Sequence, residues 1–380
     1  MTAVHRLFGG VSRTRQSPTA HFDFQRCDQF VDSRITSSGG TNGWRFNTAG
    51  LLAAKAAPRI AVDPLTLAVR GLMCERTSRN LVLQSSDLSA SPWAGVGAGT
   101  SVTPAAAAGP DGTTTANSIT LDAAAGSRVE QYTATLAGST AHTVSCWLKG
   151  SGQVTLHFDD GLADYESAIT LTSSWVRYTH TATTGASPTS GRIMLINRTG
   201  VAPASLHAWH AQLEEGISAT SEIPTTSAEV ERTGDGHVIS DLTSIGYSAG
   251  ACTWVFRARK GPNTDCRLLA SALFGAPNIG VYNGTPFVGL DGVLSQDAAA
   301  PISAEVDFAI AARFQAGNYA ICVDGATPVV NTLATAPAVP TVAYLGGLGV
   351  NSFPIGRHLI SVSYYARPLS DVELREATSA

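Results

Sequence analysis

The feature that most constrains the fold of this chain is an apolar alternation with a period of two, seen clearly at residues 206–213. An extended chain points successive side chains to opposite faces. The two predicted faces are Leu206, Ala208, His210 and Gln212 on one side, and His207, Trp209, Ala211 and Leu213 on the other. Gly216 and a polar stretch end the run. The pattern predicts a β-strand rather than a helix.

Short segments of this kind recur from about residue 80 to residue 232. Turn-forming residues separate them at 110–112, 150–152 and 160–161. The predicted strands are 115–121, 128–135, 142–148, 153–158, 168–171, 175–181, 191–196 and 206–213. Many short strands joined by regular turns predict a sandwich or jelly roll.

A polar stretch at 224–236 is interpreted as a linker, and a second series of strands follows it. The predicted strands are 252–258, 267–269, 280–282, 286–290, 307–314, 318–323, 342–345 and 358–365. Asn283-Gly284 indicates a hairpin, because a type I′ turn needs positive φ at both central residues. Ser370 and Glu373 have the spacing of a capping box, which predicts a short C-terminal helix.

The 380 residues suffice for two domains and an accessory segment, at roughly 100–200 residues per domain. The hydrophobic content is 44% and the charged content only 14%, which suits short strands joined by tight turns. Residues 1–70 contain too little apolar surface for a core of their own. The predicted fold class is therefore all-β: an extended N-terminal arm (1–70), followed by two tandem β-sandwich domains (71–232 and 233–380).

The charges are distributed unevenly along the chain. Residues 1–80 hold 11 of the 25 Lys and Arg and 5 of the 29 Asp and Glu, a net +6, so the remaining residues carry 14 against 24, a net −10. A net negative body predicts no nucleic-acid partner. The basic N-terminal segment is either a solvated surface or a docking element for an acidic protein surface, with Arg6, Arg13, Arg15 and Arg26 as the candidate attachment residues.

Cysteine spacing and hydropathy restrict the cellular context. Six cysteines are scattered without metal-ligand spacing, so no disulfide framework is predicted. The first residues lack the apolar core of a signal peptide, and no apolar run approaches the roughly 20 residues of a membrane helix. We expect synthesis in a bacterial cytoplasm without membrane insertion, and release as part of an assembled particle if the protein acts outside the cell.

Several stretches of the first predicted sandwich resemble a carbohydrate-binding-module-like jelly roll found in phage tail, fibre and spike proteins. They are GLMCERTSRN (71–80), LVLQSSDLSASPW (81–93), AGPDGTTTAN (108–117), CWLKG (146–150), AQLEEG (211–216) and ATSEIPTT (219–226). Residues 237–378 resemble concanavalin/laminin-G-like sandwiches, whose last strand runs into a sequence such as YARPLSDVELRE (365–376).

These resemblances imply a structural and adhesive component, a fibre or spike, of a tailed phage or phage-like particle. The implied protein is a homo-oligomer, a trimer by analogy, at the particle surface. It would attach to other virion proteins through its N-terminal arm and bind host surface polysaccharide, without catalysis. Two alternatives stay open: a structural spacer or decoration protein without a ligand, and a capsule-degrading glycosidase or esterase.

The segment 157–166 concentrates acidic residues around a glycine, and four interpretations of it remain open. Asp159, Asp160 and Asp164 with Tyr165 could contact sugar hydroxyls and stack against a pyranose ring. The three aspartates could instead bind Ca²⁺, the one candidate cofactor, or the segment could be a solvated turn. A glycosidase pair would need carboxylates roughly 5 to 9.5 Å apart across a cleft, which chain spacing does not reveal.

Two further motifs bear on function. The hairpin tip offers Tyr282, Asn283 and Phe287 as glycan-binding residues, because a tight exposed turn flanked by aromatic residues suits a ligand. Residues 246–250 match the G-x-S-x-G of hydrolases, with Asp324 and His358 following in triad order. That motif requires a helix after the serine, whereas a strand pattern follows here, so we interpret it as an ordinary turn.

Overall fold

The computed structural model describes residues 17–25, 32–248, 250–271, 273–350 and 352–379, and it confirms the all-β fold class. One short helix, α1 (Asp371–Thr378), and one 3₁₀ turn (Leu242–Ile245) accompany the strands in these residues. The strands of the N-terminal and first-sandwich regions are β1 (Ala20–Asp23), β2 (Ile35–Gly39), β3 (Trp44–Phe46), β4 (Leu52–Ala54), β5 (Ile60–Val62), β6 (Val69–Met73), β7 (Ser78–Asn80), β8 (Ala94–Val96), β9 (Ser101–Ala108), β10 (Thr114–Thr120), β11 (Arg128–Thr133), β12 (Ala141–Ser151), β13 (Gln153–Asp159), β14 (Asp164–Thr170), β15 (Val176–Thr183), β16 (Gly191–Ile196) and β17 (Ser205–Glu215). The remaining strands are β18 (Val230–Arg232), β19 (Asp235–Ile239), β20 (Ala251–Arg259), β21 (Cys266–Ala270), β22 (Pro277–Tyr282), β23 (Thr285–Leu290), β24 (Leu294–Asp297), β25 (Asp307–Gln315), β26 (Tyr319–Val323), β27 (Val329–Asn331), β28 (Ala343–Leu345) and β29 (His358–Tyr365).

The first sandwich consists of two five-stranded antiparallel sheets. Their strand orders are β15-β12-β17-β10-β9 and β14-β13-β16-β11-β8. The core between the sheets contains Val144 and Leu148 of β12, Leu156 and Phe158 of β13, and Leu195 of β16. Burying the apolar face of each sheet against the other is the expected arrangement for alternating strands.

The alternation of β17 changes phase in mid-strand, which the sequence prediction missed. Leu206 and Ala208 lie in the core, but so do Ala211 and Leu213, which were predicted to face the other way. The cause is a β-bulge: the pairing with β12 shifts by one residue, and His210 adopts a φ of 49°. An extra residue in one strand inverts every side chain that follows it.

The second sandwich consists of an eight-stranded and a seven-stranded sheet, and it includes strands from the start of the chain. In the larger sheet the order is β27-β26-β25-β20-β29-β6-β5, with β1 also paired to β29; in the smaller it is β2-β19-β28-β21-β22-β23-β24. Phe22, Ile35, Ile60 and Leu72 are buried in the core of this sandwich. The prediction of a separate arm is therefore wrong for the described residues before 70.

The two sandwiches are not arranged in tandem, because the first is inserted into the second. The chain leaves the second sandwich after β6 and returns to it at β19. At the junction β7 pairs with β18, which places Asn80 opposite Val230 and Ser78 opposite Arg232. The predicted boundary at 70 falls within β6, a strand of the host sandwich, and the predicted boundary at 233 lies between β18 and β19; residues on both sides of the insert form one sandwich. The predicted attachment residues Arg6, Arg13, Arg15 and Arg26 lie outside the described residues.

A buried ionic cluster joins the insert to its host sandwich. Arg59 donates from Nε and Nη2 to the two carboxylate oxygens of Asp235 at 2.9 and 2.7 Å, and from Nη2 to Glu75 at 2.8 Å. Its Nη1 donates to Ser221 Oγ of the insert at 2.7 Å. Arg232 lies 3.4 Å from Glu75 and 3.8 Å from Asp235. All four charged side chains are buried, so each charge depends on its partners in the cluster.

The hairpin β3–β4 covers an aromatic surface of the insert. Phe46 contacts Trp147 and Trp209, with ring centroids 6.3 and 6.0 Å apart, and Trp175 belongs to the same buried cluster. These tryptophans lie on the outer side of the sheet that contains β12 and β17. The hairpin thus forms a third layer, and the three tryptophans are packing residues.

Two local predictions, the hairpin turn and the capping box, are confirmed. Asn283 and Gly284 have φ values of 48° and 80° and join β22 to β23, as a type I′ turn requires. Ser370 and Glu373 form the predicted capping box at the start of α1. The five cysteines among the described residues are free and buried. In the same residues, every helix is too short or too polar to cross a bilayer.

Candidate functional site

The acidic segment 157–166 lies on β13, a turn and β14. These strands pair so that His157 is opposite Glu166, and Asp159 is opposite Asp164. These four residues point outward from the sheet, whereas Phe158 and Tyr165 between them point towards the core. The rings of Phe158 and Tyr165 stack with centroids 5.0 Å apart. Tyr165 is therefore a partly buried packing residue, with one face of its ring on Phe158.

Asp160 holds the turn between β13 and β14. Its carboxylate accepts hydrogen bonds from the backbone N–H groups of Leu162, Ala163 and Gly185 at 3.0, 2.8 and 2.9 Å, and from the Tyr165 hydroxyl at 3.0 Å. Burial alone would raise the pKa of Asp160, but these hydrogen bonds lower it to about 2. The prediction that Asp160 contacts a ligand is wrong, because its carboxylate is buried and fully used within the chain.

The outward residues of the segment form an ionic network around His157. The Nε2 atom of His157 lies 3.4 Å from both Asp159 and Asp164, and its Nδ1 atom lies 3.4 Å from Glu166. Arg192 donates from Nε to Asp159 at 2.7 Å, and Arg198 donates from Nε to Glu166 at 2.8 Å. Two arginines therefore pair with carboxylates for which the sequence analysis identified no partner.

The network suits binding better than acid catalysis. Burial would raise the pKa of Asp159, but hydrogen bonds from His157 and Arg192 outweigh it and hold this pKa below its usual value. The pKa of Glu166 is also lowered, because hydrogen bonds from Arg198 and His157 outweigh burial. A glycosidase acid needs a raised pKa so that it keeps its proton near neutral pH. Neither carboxyl group meets that requirement.

The calcium site predicted from three aspartates does not form. Asp160 points away from the cluster, and the three residues whose donor atoms lie within 4.8 Å of one another are His157, Asp159 and Asp164. Calcium takes oxygen ligands, so an imidazole nitrogen is a poor member of the set. Guanidinium groups of Arg192 and Arg198 already contact Asp159 and Asp164.

The neighbouring strands β11 and β16 extend this network, with residues that the sequence analysis missed. Tyr132 is opposite Arg192, whose guanidinium carbon lies 5.2 Å from the centroid of the tyrosine ring. Arg192 also donates from Nη1 to Glu130 and to the Tyr132 hydroxyl, both at 3.2 Å. Tyr132 keeps 60% of its surface exposed. The signal that could have identified it is the alternation at 128–132, where arginine, glutamate and tyrosine occupy every second position.

These residues form a connected network on the side of the sheet away from the core, which we call the charged face; His157, Asp159 and Glu130 within it are buried. It consists of Arg128, Glu130, Tyr132, His157, Asp159, Asp164, Glu166, Arg192 and Arg198. It combines one exposed aromatic ring with charged hydrogen-bonding groups held in position by their neighbours.

The three ligand-binding residues predicted at the hairpin tip of the second sandwich differ in their exposure. Tyr282 is 59% exposed and Asn283 is exposed, as predicted. Phe287 is only 6% exposed, because the guanidinium of Arg267 covers it, with its carbon 4.8 Å from the ring centroid. The same guanidinium carbon lies 4.7 Å from the ring centroid of Phe353. Phe287 is therefore a packing residue, while Tyr282 and Asn283 remain accessible to a ligand.

The residues of the G-x-S-x-G motif do not assemble a catalytic triad. The backbone N–H of Ser248 donates to the hydroxyl of Tyr364 at 2.8 Å, near one end of β29. His358 begins the same strand six residues earlier, which corresponds to about 20 Å along an extended chain. Strand β20 follows the motif in place of the helix that a nucleophile elbow requires.

The sequence matches no family model, and no curated protein matches it. Solved structures with partial similarity include the receptor-binding domain of botulinum neurotoxin type G, at 9% identity and a TM-score of 0.28 over 38% of this chain and 39% of that chain. A family 16 carbohydrate-binding module is similar at 18% identity and a TM-score of 0.28, covering 35% of this chain and 97% of the module. A xylan-binding domain from Paenibacillus barcinonensis is similar at 15% identity and a TM-score of 0.27, covering 40% and 98%. The chain thus spans less than half of the neurotoxin structure, and similarity at these values assigns it neither a ligand nor a function.

Proposed function

We propose that this protein is a non-enzymatic glycan-binding protein that contacts sugar through its charged face. The observation that carries the proposal is the pairing of the exposed ring of Tyr132 with Arg192, which is held by Glu130 and Asp159. An aromatic ring provides a flat apolar surface for the C–H face of a sugar. The charged groups around it accept from and donate to sugar hydroxyls, and because they are already positioned, little side-chain entropy is lost on binding.

We further propose that the protein belongs to the surface of a phage or phage-like particle and binds host surface polysaccharide. The sequence resemblance of residues 71–232 to phage fibre and spike jelly rolls supports this role. A binding site on an open sheet face is weak when single, and several copies on one particle would multiply its avidity. Trimerisation and attachment to other virion proteins through Arg6, Arg13, Arg15 and Arg26 complete the proposal.

The experiment is binding of the purified chain to an array of bacterial surface polysaccharides. Tyr132→Ala should weaken binding about tenfold, the loss of roughly one aromatic contact. Tyr282→Ala is the matched control, because Tyr282 is equally exposed but lies on the other sandwich. Loss of binding in the control and not in Tyr132→Ala would transfer the site to the hairpin tip and refute the proposal for the charged face.

Two other outcomes correspond to the alternative functions. A folded protein that binds no polysaccharide at millimolar sugar would be a structural spacer. Release of reducing ends from polysaccharide, abolished by Asp159→Asn, would make it a polysaccharide-degrading enzyme.

A further inference from the structure

A cavity unrelated to the charged face lies where the two sandwiches meet. This interdomain cleft has a volume of about 450 Å³ and is lined from three parts of the chain. The insert contributes β15 and residues 219–222, the N-terminal region contributes residues 45–46 and 61–64, and the second sandwich contributes Arg259, Arg357 and His358. Clefts of this size at domain boundaries are common ligand sites.

The wall between the sandwiches is apolar and rigid. Phe46, Val62 and Trp147 line it, and all three belong to the buried aromatic cluster under the β3–β4 hairpin. The indole N–H of Trp147 donates to Glu222 at 2.8 Å, and Arg177 donates from Nη1 to the carbonyl of Thr220 at 2.7 Å. The cleft therefore keeps its shape without a ligand, so binding costs little conformational entropy.

His358 is a polar group in this cleft that lacks a partner. It is only 7% exposed, and among residues 17–25, 32–248, 250–271, 273–350 and 352–379 none forms a hydrogen bond with its ring. The buried Nε atom of Arg177, on the opposite wall, also has no hydrogen-bond partner in those residues. Buried polar atoms are nearly always hydrogen-bonded, so the unpaired Nε of Arg177 indicates where a polar ligand would bind, and the ring nitrogens of His358, which solvent reaches, are open to the same ligand.

Four arginines and four carboxylates line the cleft, and two of the arginines, Arg259 and Arg357, lie beside His358 and favour an anionic ligand there. His358 is opposite Arg259 across the β20–β29 pair and directly follows Arg357. The carboxylates that pair with these arginines, Asp307 and Glu305, are about half exposed, so the pairs are weak and can be exchanged for a ligand carboxylate. Burial, followed by the charge of Arg259, lowers the pKa of His358 to about 4. Its neutral ring therefore has one donor and one acceptor near pH 7, which suits a hydroxyl group.

We propose that the interdomain cleft binds one acidic sugar residue of the uronic acid class, at a site distinct from the charged face. The sugar carboxylate would lie between Arg259 and Arg357, and a ring hydroxyl would bind His358. The apolar side of the sugar ring would face Phe46 and Trp147. Because the insert supplies one wall and the host sandwich the other, neither sandwich forms this site alone.

The test is a titration of the full chain with glucuronate and with glucose, followed by calorimetry and by the NMR signals of the histidine rings. The two sugars share their ring and differ at the carboxylate. Glucuronate should bind at millimolar concentration, about tenfold more tightly than glucose, and should shift the His358 signal. His358→Leu and Arg357→Gln should each weaken glucuronate binding about tenfold, with unchanged circular dichroism.

His21→Leu is the matched control, because His21 is a histidine on β1 outside the cleft and should leave glucuronate binding unchanged. Equal binding of glucose and glucuronate, absence of saturation with either sugar, or full binding in His358→Leu would overturn the proposal. The outcome is independent of the polysaccharide array, since Tyr132→Ala affects only the charged face. The two proposals can therefore fail separately.

Discussion

Replacing Arg59 tests whether the beginning of the chain is an integral part of the second sandwich. Arg59→Met removes three hydrogen bonds to two buried carboxylates, those of Asp235 and Glu75, and one to Ser221. Among the residues that the structure describes, Arg232 would remain as the only cation within 4 Å of both carboxylates, at 3.4 and 3.8 Å. Removing one partner from a buried ion pair costs about 3–5 kcal/mol, because the other charge is left buried without compensation. We expect the free energy of unfolding to fall by about 4 kcal/mol.

Urea unfolding followed by tryptophan fluorescence measures this loss. Arg70→Met is the matched control: Arg70 is another arginine of the N-terminal region and pairs with Asp63 at 2.8 Å, but its side chain is 42% exposed. An exposed pair contributes less than about 1 kcal/mol, so this variant should unfold almost as the unchanged protein does. If Arg59→Met cost no more than Arg70→Met, the residues before 70 would not be integral to the sandwich.

The remaining predictions concern the insertion, acid sensitivity and the C-terminal helix. Replacing residues 81–229 by Asn-Gly should leave a cooperatively folded β-protein by circular dichroism, because β7 and β18 already pair as the arms of a hairpin; a molten product would contradict the insertion. Burial lowers the pKa of His210 to about 3 and of His358 to about 4, so the folded protein binds fewer protons than the unfolded chain below pH 6.5. The free energy of unfolding should therefore fall by about 2 kcal/mol per histidine between pH 7 and pH 5. Urea titrations at the two pH values should show a smaller loss for His358→Leu than for the unchanged protein, and an equal loss would refute this explanation. Ser370→Ala should cost about 1 kcal/mol in thermal unfolding, whereas Ser379→Ala beyond the other end of α1 should not.

Eight of the ten strands of the first sandwich, β10 to β17, could be predicted from apolar segments that end at turn residues, whereas β8 and β9 could not. β9 was missed, since SVTPAAAA offers no alternation and lies exposed at a sheet edge. The N-terminal strands were assigned to an extended arm, because their partners are far away in the chain: β1 pairs with β29, and β2 pairs with β19. Apolar content within a window cannot show that a segment shares a core with residues 200 or more positions later.

The candidate site could be predicted only in part, for a related reason. Asp159 and Asp164 were identified because they are neighbours in sequence. Tyr132 and Arg192 join them through sheet pairing across β11, β16 and β13, which no local pattern reveals. Asp160 was misassigned because, from sequence alone, a carboxylate that holds a turn resembles one that is free to bind.

The side-by-side position of β7 and β18 makes the inserted module exchangeable. The chain enters and leaves the inserted module through these two paired strands, with Asn80 opposite Val230. Any β-module whose ends lie one strand spacing apart could occupy the same position without a change in the order of the host strands. Recombination at this pair of strands would therefore exchange the inserted module in one step, while the host sandwich keeps its own core.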